Sequence, residues 1–203
     1  MVEEYSGAER LAPASDPDDV TQLILDDHER FRRAFAALDE LRGPRVSPAE
    51  LSKTWDPLAE LLDVHAVAEE EVFYPQLLRR GDDATDETLD AIGDHNDIRD
   101  AVREAAREPV GSPGWWAAVG QARKANDEHM AEEERDALAD FRRNTAIGLR
   151  VALGRRFRSF KAEHDRASNL DTRNKDPEAY VEAERAAPRR ADNSLGIGSL
   201  KGR

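Results

Sequence analysis

The stretch HAVAE at residues 65–69 and its counterpart HMAEE at residues 129–133 each place a glutamate four residues after a histidine. A further histidine precedes each stretch, His28 before the first and His95 before the second. Residues four apart on an α-helix lie on the same face, so each histidine and its glutamate can converge on one point. Four of the 5 histidines thus follow a twofold pattern. The pattern predicts a two-metal site inside a four-helix bundle.

Apolar residues recur at helical spacing through four long segments, and no segment alternates with the period of two that a strand requires. Pro57 and Pro75 lie inside the second segment and predict a kink or a restart there. The predicted fold is all-α, an up-down-up-down four-helix bundle over residues 18–143 with short loops. Its helices are expected at residues 16–41, 47–80, 85–107 and 112–143.

The two ends of the chain differ from this central part. Residues 1–17 are acidic and contain proline, and are expected to be disordered. Residues 144–166 contain a fifth, basic amphipathic helix from Thr145 to His164, which is expected to pack on the bundle or on a protein partner. Residues 167–203 are rich in polar residues, proline and glycine, which predicts a disordered tail.

Composition excludes several classes of function. The net charge of −13 argues against nucleic acid and anionic membranes as partners, because phosphate would be repelled. No apolar run approaches the ~20 residues that a transmembrane helix needs. No secretory signal is recognisable, so a cytoplasmic location is expected. The chain has 0 cysteines, so any metal must be held by nitrogen and oxygen.

The neighbours of the histidines indicate which way they face. His28, His65 and His95 each share a helix face with large apolar residues, so they are expected to point into the bundle. A lone inward histidine usually belongs to the core, and a lone His–Glu pair is usually a surface contact. The repeated combination instead favours a metal site, with two ions sharing Glu69 and Glu133. Nitrogen and oxygen ligands suit iron, manganese or zinc, and a redox-active pair favours iron.

Other residues near the motifs have weaker claims. Glu132 and Asp136 are near enough to assist, although solvated acids are the simpler interpretation. Glu70 is expected to face outward or to support the ligands. Tyr74 is interpreted as a core residue rather than a hydrogen-bond donor at the site, and His164 as a surface residue.

The chain resembles the hemerythrin-like family, also called HHE cation-binding domains. The resemblance covers residues 18–143 and rests on DDHE at 26–29, HAVAEEEVFYP at 65–75, DHN at 94–96 and HMAEE at 129–133. It implies a four-helix bundle with a non-haem, carboxylate-bridged di-iron centre. By this resemblance the iron ligands are His28, His65, Glu69, His95, His129 and Glu133.

The chain departs from the oxygen-carrying members of that family. Those have a second histidine one turn after the one in the third helix, where this chain has Arg99. They also end with an aspartate five residues after the last histidine, where this chain has Glu133 at four. A centre with fewer histidines and more carboxylates suits redox chemistry at least as well as reversible oxygen storage.

The functional prediction is a di-iron protein that binds or reacts with oxygen, nitric oxide or hydrogen peroxide, for sensing or for protection against stress. One alternative is an enzyme that decomposes peroxide or reduces nitric oxide at the same centre. Another is iron storage, delivery or iron-centre repair. A fourth is a helical bundle without metal that binds a protein partner through its arginine-rich helix.

Overall fold

The computed structural model describes residues 16–43, 45–164 and 166–187. These parts of the chain are helical and contain no β-strand, as the sequence predicts. The helices are α1 (Val20–Glu40), α2 (Pro48–Ala68), α3 (Tyr74–Arg80), α4 (Ala84–Arg107), α5 (Pro113–Arg135), α6 (Ala137–Asn144), α7 (Ile147–Glu163) and α8 (Pro177–Ala186). None of them, among the described residues, is long and apolar enough to cross a membrane.

Two of the predicted helices are interrupted close to the glutamates of the repeated motif. The second continues through Pro57 but changes to a π-helical turn at Glu69–Phe73. Pro75 follows that turn, and proline has no N–H to donate to the preceding turn of an α-helix. The N–H of Tyr74 bonds the carbonyl of Glu69 instead, five residues back. The fourth predicted helix ends at Arg135 and restarts at Ala137, so each interruption adjoins a motif glutamate.

The histidines lie between two apolar clusters. The first cluster includes Ile24 and Ile92, and the second includes Phe31 and Ile98. Along α1, His28 falls between Ile24 and Phe31, and His65 and His95 separate members of the two clusters in the same way. Apolar packing on both sides therefore holds a polar layer in the middle of the bundle.

The described part of the C-terminal region packs on the bundle. Helix α7 lies against α1 and buries Leu153 and Phe157, and this agrees with the predicted fifth helix. The expectation of a disordered tail from residue 167 is wrong for residues 167–187. These contain a 3-10 turn and α8, which packs on α3 and α4 through Val181 and Tyr180. Residues 1–15 and 188–203 of the predicted disordered ends lie outside the described residues.

Candidate metal centre

Each of four helices contributes one buried histidine to the interior of the bundle. His28 comes from α1, His65 from α2, His95 from α4 and His129 from α5. In every case Nε2 is the ring nitrogen that faces an interior glutamate. The four histidines of the twofold sequence pattern therefore lie together in the structure.

Glu69 lies between the two halves of this cluster. Its Oε1 is 3.0 Å from Nε2 of His65, and its Oε2 is 3.3 Å from Nε2 of His95 and 4.0 Å from Nε2 of His129. The ligand atoms of His28, His65 and Glu69 lie within 4.8 Å of one another, and so do those of Glu69, His95 and His129. Glu69 belongs to both groups, which is the arrangement that a bridging carboxylate requires.

Glu133 faces the cluster differently from Glu69. Its Oε2 lies 3.3 Å from Nε2 of His28, whereas its Oε1 accepts a hydrogen bond of 2.9 Å from the hydroxyl of Tyr74. The interpretation of Tyr74 as only a core residue is therefore wrong, because its hydroxyl directs one of the predicted ligands. Nothing in the sequence pairs residues 74 and 133, which lie in different helices.

The residues fit a metal ion by two observations. The facing atoms of His28, His65, Glu69 and Glu133 are buried and have no hydrogen-bond partner. Buried polar atoms rarely stay unpaired, and a cation is one way of satisfying them. Ligands about 2.1 Å from a metal, at right angles to each other, are about 3.0 Å apart. The distances of 3.0 and 3.3 Å between the facing atoms are close to that value.

The opposite ring nitrogen of each histidine, Nδ1, also faces a carboxylate. The Nδ1 distances are 2.8 Å from His28 to Glu134, 3.0 Å from His65 to Asp27, 3.0 Å from His95 to Glu70 and 3.5 Å from His129 to Asp94. A carboxylate that accepts from Nδ1–H fixes the ring orientation and leaves Nε2 to bind metal. This outer ring of acids is the usual support of a histidine metal site.

Comparison with protein families matches residues 19–141 to the hemerythrin HHE cation-binding domain, which is more than half of the chain. The chain belongs to this hemerythrin family. No curated protein and no solved structure matches it. The match confirms the resemblance and the metal-binding character of the bundle. It ends before α7, so α7 and α8 lie outside the hemerythrin domain.

The charges around the hemerythrin-type centre keep its outer carboxylates ionised. Burial alone would raise the pKa of Glu70, but His95, Arg99 and Lys175 outweigh burial and lower it to about 2. His65 and Lys161 likewise lower the pKa of Asp27 to about 2 against the effect of burial. Both acids are therefore anions at neutral pH and can accept the Nδ1 protons of the ligand histidines.

The same carboxylates make the histidines strong bases. Burial alone would lower the pKa of His65, but Glu69 and Asp27 outweigh it and raise the pKa to about 10. The pKa of His95 is raised in the same sense by Glu69 and Glu70, against burial. A proton and a metal ion therefore compete for Nε2 of these residues.

Arg99 occupies the position where oxygen-carrying hemerythrins have an additional histidine. It is buried and donates to Oε1 of Glu70 over 2.9 Å, beside the contact from Glu70 to His95. The prediction that this position lacks a ligand agrees with that placement. Sequence reasoning missed that the arginine supports the centre through Glu70.

An opening of about 250 Å³ reaches the centre from the side of α4 and α5. His129 and Glu133 line its inner end, so the opening meets one candidate ligand from each side of the centre. Its walls are mostly acidic but include two arginines. The charged residues that line it are Asp83, Asp86, Glu87, Asp90, Asp94, Glu132, Arg135, Asp136 and Arg143. Acidic walls attract cations and repel anions. Glu132 and Asp136, weighed as assisting ligands from the sequence, line this opening.

Proposed function

We propose that this protein holds a pair of non-haem iron ions and binds or reacts with a small uncharged ligand such as oxygen, nitric oxide or hydrogen peroxide. The observation that carries the proposal is the position of Glu69 between two histidine pairs. His28 and His65 would hold one ion, His95 and His129 the other, and Glu69 would bridge them. Glu133 completes the ligand set from the side of His28.

Iron, when bound, supplies electron transfer to the ligand and a positive charge that polarises it. The protein supplies position and access. The outer carboxylates hold each imidazole with Nε2 inward, and apolar residues such as Phe31, which contacts the ring of His65, exclude water on that side. A ligand would approach His129 through the acidic opening, which favours uncharged molecules over anions such as nitrite or superoxide.

Metal analysis of protein produced in iron-containing medium tests this proposal, together with its absorption spectrum before and after hydrogen peroxide. We expect about two irons per chain and near-ultraviolet absorption that changes when peroxide is added. Absence of stoichiometric metal, even after reconstitution with ferrous iron, would refute it. Steady consumption of peroxide or nitric oxide would assign a catalytic role, and a spectral change without turnover would assign binding or sensing.

Iron storage, delivery or repair is the second candidate, and the acidic opening favours it. Carboxylates along the path to His129 would attract ferrous ions toward the centre or guide them out of it. A chelator competition separates the candidates. Iron that passes to a chelator within minutes supports delivery, whereas iron retained for hours supports a resident centre.

A further inference from the structure

Two lysines from outside the matched hemerythrin domain contact carboxylates that surround its centre. Nζ of Lys161, in α7, donates to Oδ2 of Asp27. Nζ of Lys175, just before α8, lies 2.7 Å from Oε2 of Glu70. Both lysines belong to the C-terminal extension, which comprises the described residues 147–164 and 166–187. This extension follows the matched domain, which ends at residue 141.

The two lysines bind the carboxylates that hold two of the candidate ligands. Asp27 faces Nδ1 of His65, and Glu70 faces Nδ1 of His95. Both carboxylates are almost completely buried, so water screens the lysine charges weakly. Each lysine is therefore connected to one histidine through a single carboxylate.

Helix α7 packs closely against the bundle in the segment that positions Lys161. A Cβ at Gly154 would lie 1.7 Å from the carbonyl oxygen of Asp18, so glycine is required where α7 crosses the start of α1. One turn later, the ring of Phe157 meets the ring of His65 edge-on, with centroids 6.0 Å apart. Lys161 follows one turn after Phe157, so packing brings it to Asp27.

Lys175 is fixed by hydrogen bonds of its own main chain. Its N–H donates to Oδ1 of Asn96 over 2.9 Å, and its carbonyl accepts from Nδ2 of Asn96 over 2.7 Å. Asn96 is the neighbour of His95. The hydroxyl of Tyr180, in α8, donates to the main-chain carbonyl of Glu70 over 2.5 Å. The segment that carries Lys175 is thus hydrogen-bonded to Glu70 and to Asn96, the neighbour of His95.

We propose that Lys161 and Lys175 are positioning residues that raise the reduction potential of the metal centre by restraining Asp27 and Glu70. A carboxylate that also binds an ammonium group pulls less strongly on the Nδ1 proton of its histidine. The histidine is then a weaker donor to the metal, and the oxidised ion is stabilised less. This inference rests on the proposed iron centre, and it assigns the C-terminal extension a role in tuning that centre.

The test compares reduction potentials of the iron-loaded full-length variants Lys161→Met and Lys175→Met with wild type. Each change removes the charge but retains much of the aliphatic chain, and we expect the potential to fall in both. Lys161→Arg and Lys175→Arg keep the charge and should restore most of the wild-type potential. Lys124→Met is the matched control, because Lys124 is exposed and pairs only with Glu128 among the contacts described.

Cobalt substitution gives a second measurement that separates the two lysines. Lys161 acts through His65 and Lys175 through His95, which belong to different ligand groups. We therefore expect the visible bands of the two variants to change differently, and the changes to add in the double variant. Lys161→Gln and Lys175→Gln, which retain a hydrogen-bond donor, serve if a methionine variant does not fold, and should lower the potential in the same way.

The outcomes distinguish this inference from the function on which it rests. If wild type binds no stoichiometric metal, the proposed iron centre fails and this inference fails with it. If every variant binds metal like wild type and the potentials equal that of Lys124→Met, only the tuning role is refuted. A fall in potential that arginine does not reverse would also refute it, since that result would point to packing rather than charge.

Discussion

Tyr74 donates its hydroxyl hydrogen to Oε1 of Glu133 over 2.9 Å, and both residues are buried. The other oxygen of Glu133 faces Nε2 of His28. Glu133 therefore differs from Glu69, both of whose oxygens face histidines. The two motif glutamates occupy equivalent places in the sequence, but Glu133 accepts a hydrogen bond from a tyrosine hydroxyl and Glu69 does not.

Replacing Tyr74 with phenylalanine should destabilise the metal-free protein more than the metal-bound protein. Loss of the hydroxyl leaves a buried carboxylate oxygen without a donor, which costs about 1–3 kcal/mol. A bound cation would take that oxygen as a ligand and so offset part of the cost. Urea unfolding with and without Zn²⁺ measures both differences. In a Glu133→Gln background the same substitution should cost much less, and an equal cost would show that the Tyr74–Glu133 contact is not responsible.

Glu69 and Glu133 should differ in the number of ions lost when each is replaced by glutamine. Glu69 belongs to both histidine groups, so Glu69→Gln should abolish binding of both ions. Glu133 faces His28 alone among the four histidines, so Glu133→Gln should lose about one ion per chain. Metal analysis after loading with Zn²⁺ or ferrous iron measures the stoichiometry.

The matched controls are the neighbouring glutamates. Glu71 and Glu132 are exposed, so Glu71→Gln and Glu132→Gln remove the same charge without touching the facing atoms. Both should keep the stoichiometry of wild type. Equal loss in Glu69→Gln and Glu133→Gln would mean that the two halves of the centre do not bind independently.

Sequence could predict the inner part of the centre because helical spacing determines it. His65 and Glu69 lie one turn apart, and apolar neighbours indicate which face is buried. The outer contacts depend on side chains from other helices. Asp27 to His65 and Glu70 to His95 are examples that no local pattern encodes. They depend on how the helices pack against one another.

The C-terminal extension was harder to predict for a different reason. Residues 167–187 are mostly polar, which is typical of a disordered segment. Few apolar contacts anchor α8, chiefly Val181 and Tyr180. Polar contacts such as the pair between Lys175 and Glu70 provide the rest, and composition does not report contacts of that kind.

Glu87 should give the protein a pH-dependent stability that glutamine removes. Burial, then Asp140, Asp83 and Asp136, raise its pKa from 4.5 to about 7. The folded protein therefore holds a proton there that the unfolded chain releases above pH 4.5. Ionisation of Glu87 opposes folding increasingly between pH 4.5 and 7. We expect Glu87→Gln to melt at a higher temperature than wild type at pH 8 and at the same temperature at pH 4.

Asp86→Asn is the control for Glu87, because Asp86 is an exposed acid in the same opening. It should shift the melting temperature at pH 8 less than Glu87→Gln does. A gain from Glu87→Gln that is equally large at pH 4 would exclude the titration of Glu87 as its cause.

Arg99→Met should destabilise the bundle by removing one side of a buried ion pair. Arg99 and Glu70 are both buried, and their contact is 2.9 Å long. Breaking such a pair costs about 3–5 kcal/mol when a buried charge is left without its partner. Lys175 and His95 still contact Glu70, so the loss should lie at the lower end of that range. Urea unfolding of the metal-free protein measures it.

Arg107→Met, on the same helix, provides the comparison. Arg107 is 70% exposed and pairs with Glu104, so its replacement should change the free energy of unfolding by less than about 0.5 kcal/mol. If Arg99→Met costs no more than this control, Lys175 and His95 alone are sufficient to stabilise Glu70. In that case Arg99 contributes packing rather than charge to the stability of the bundle.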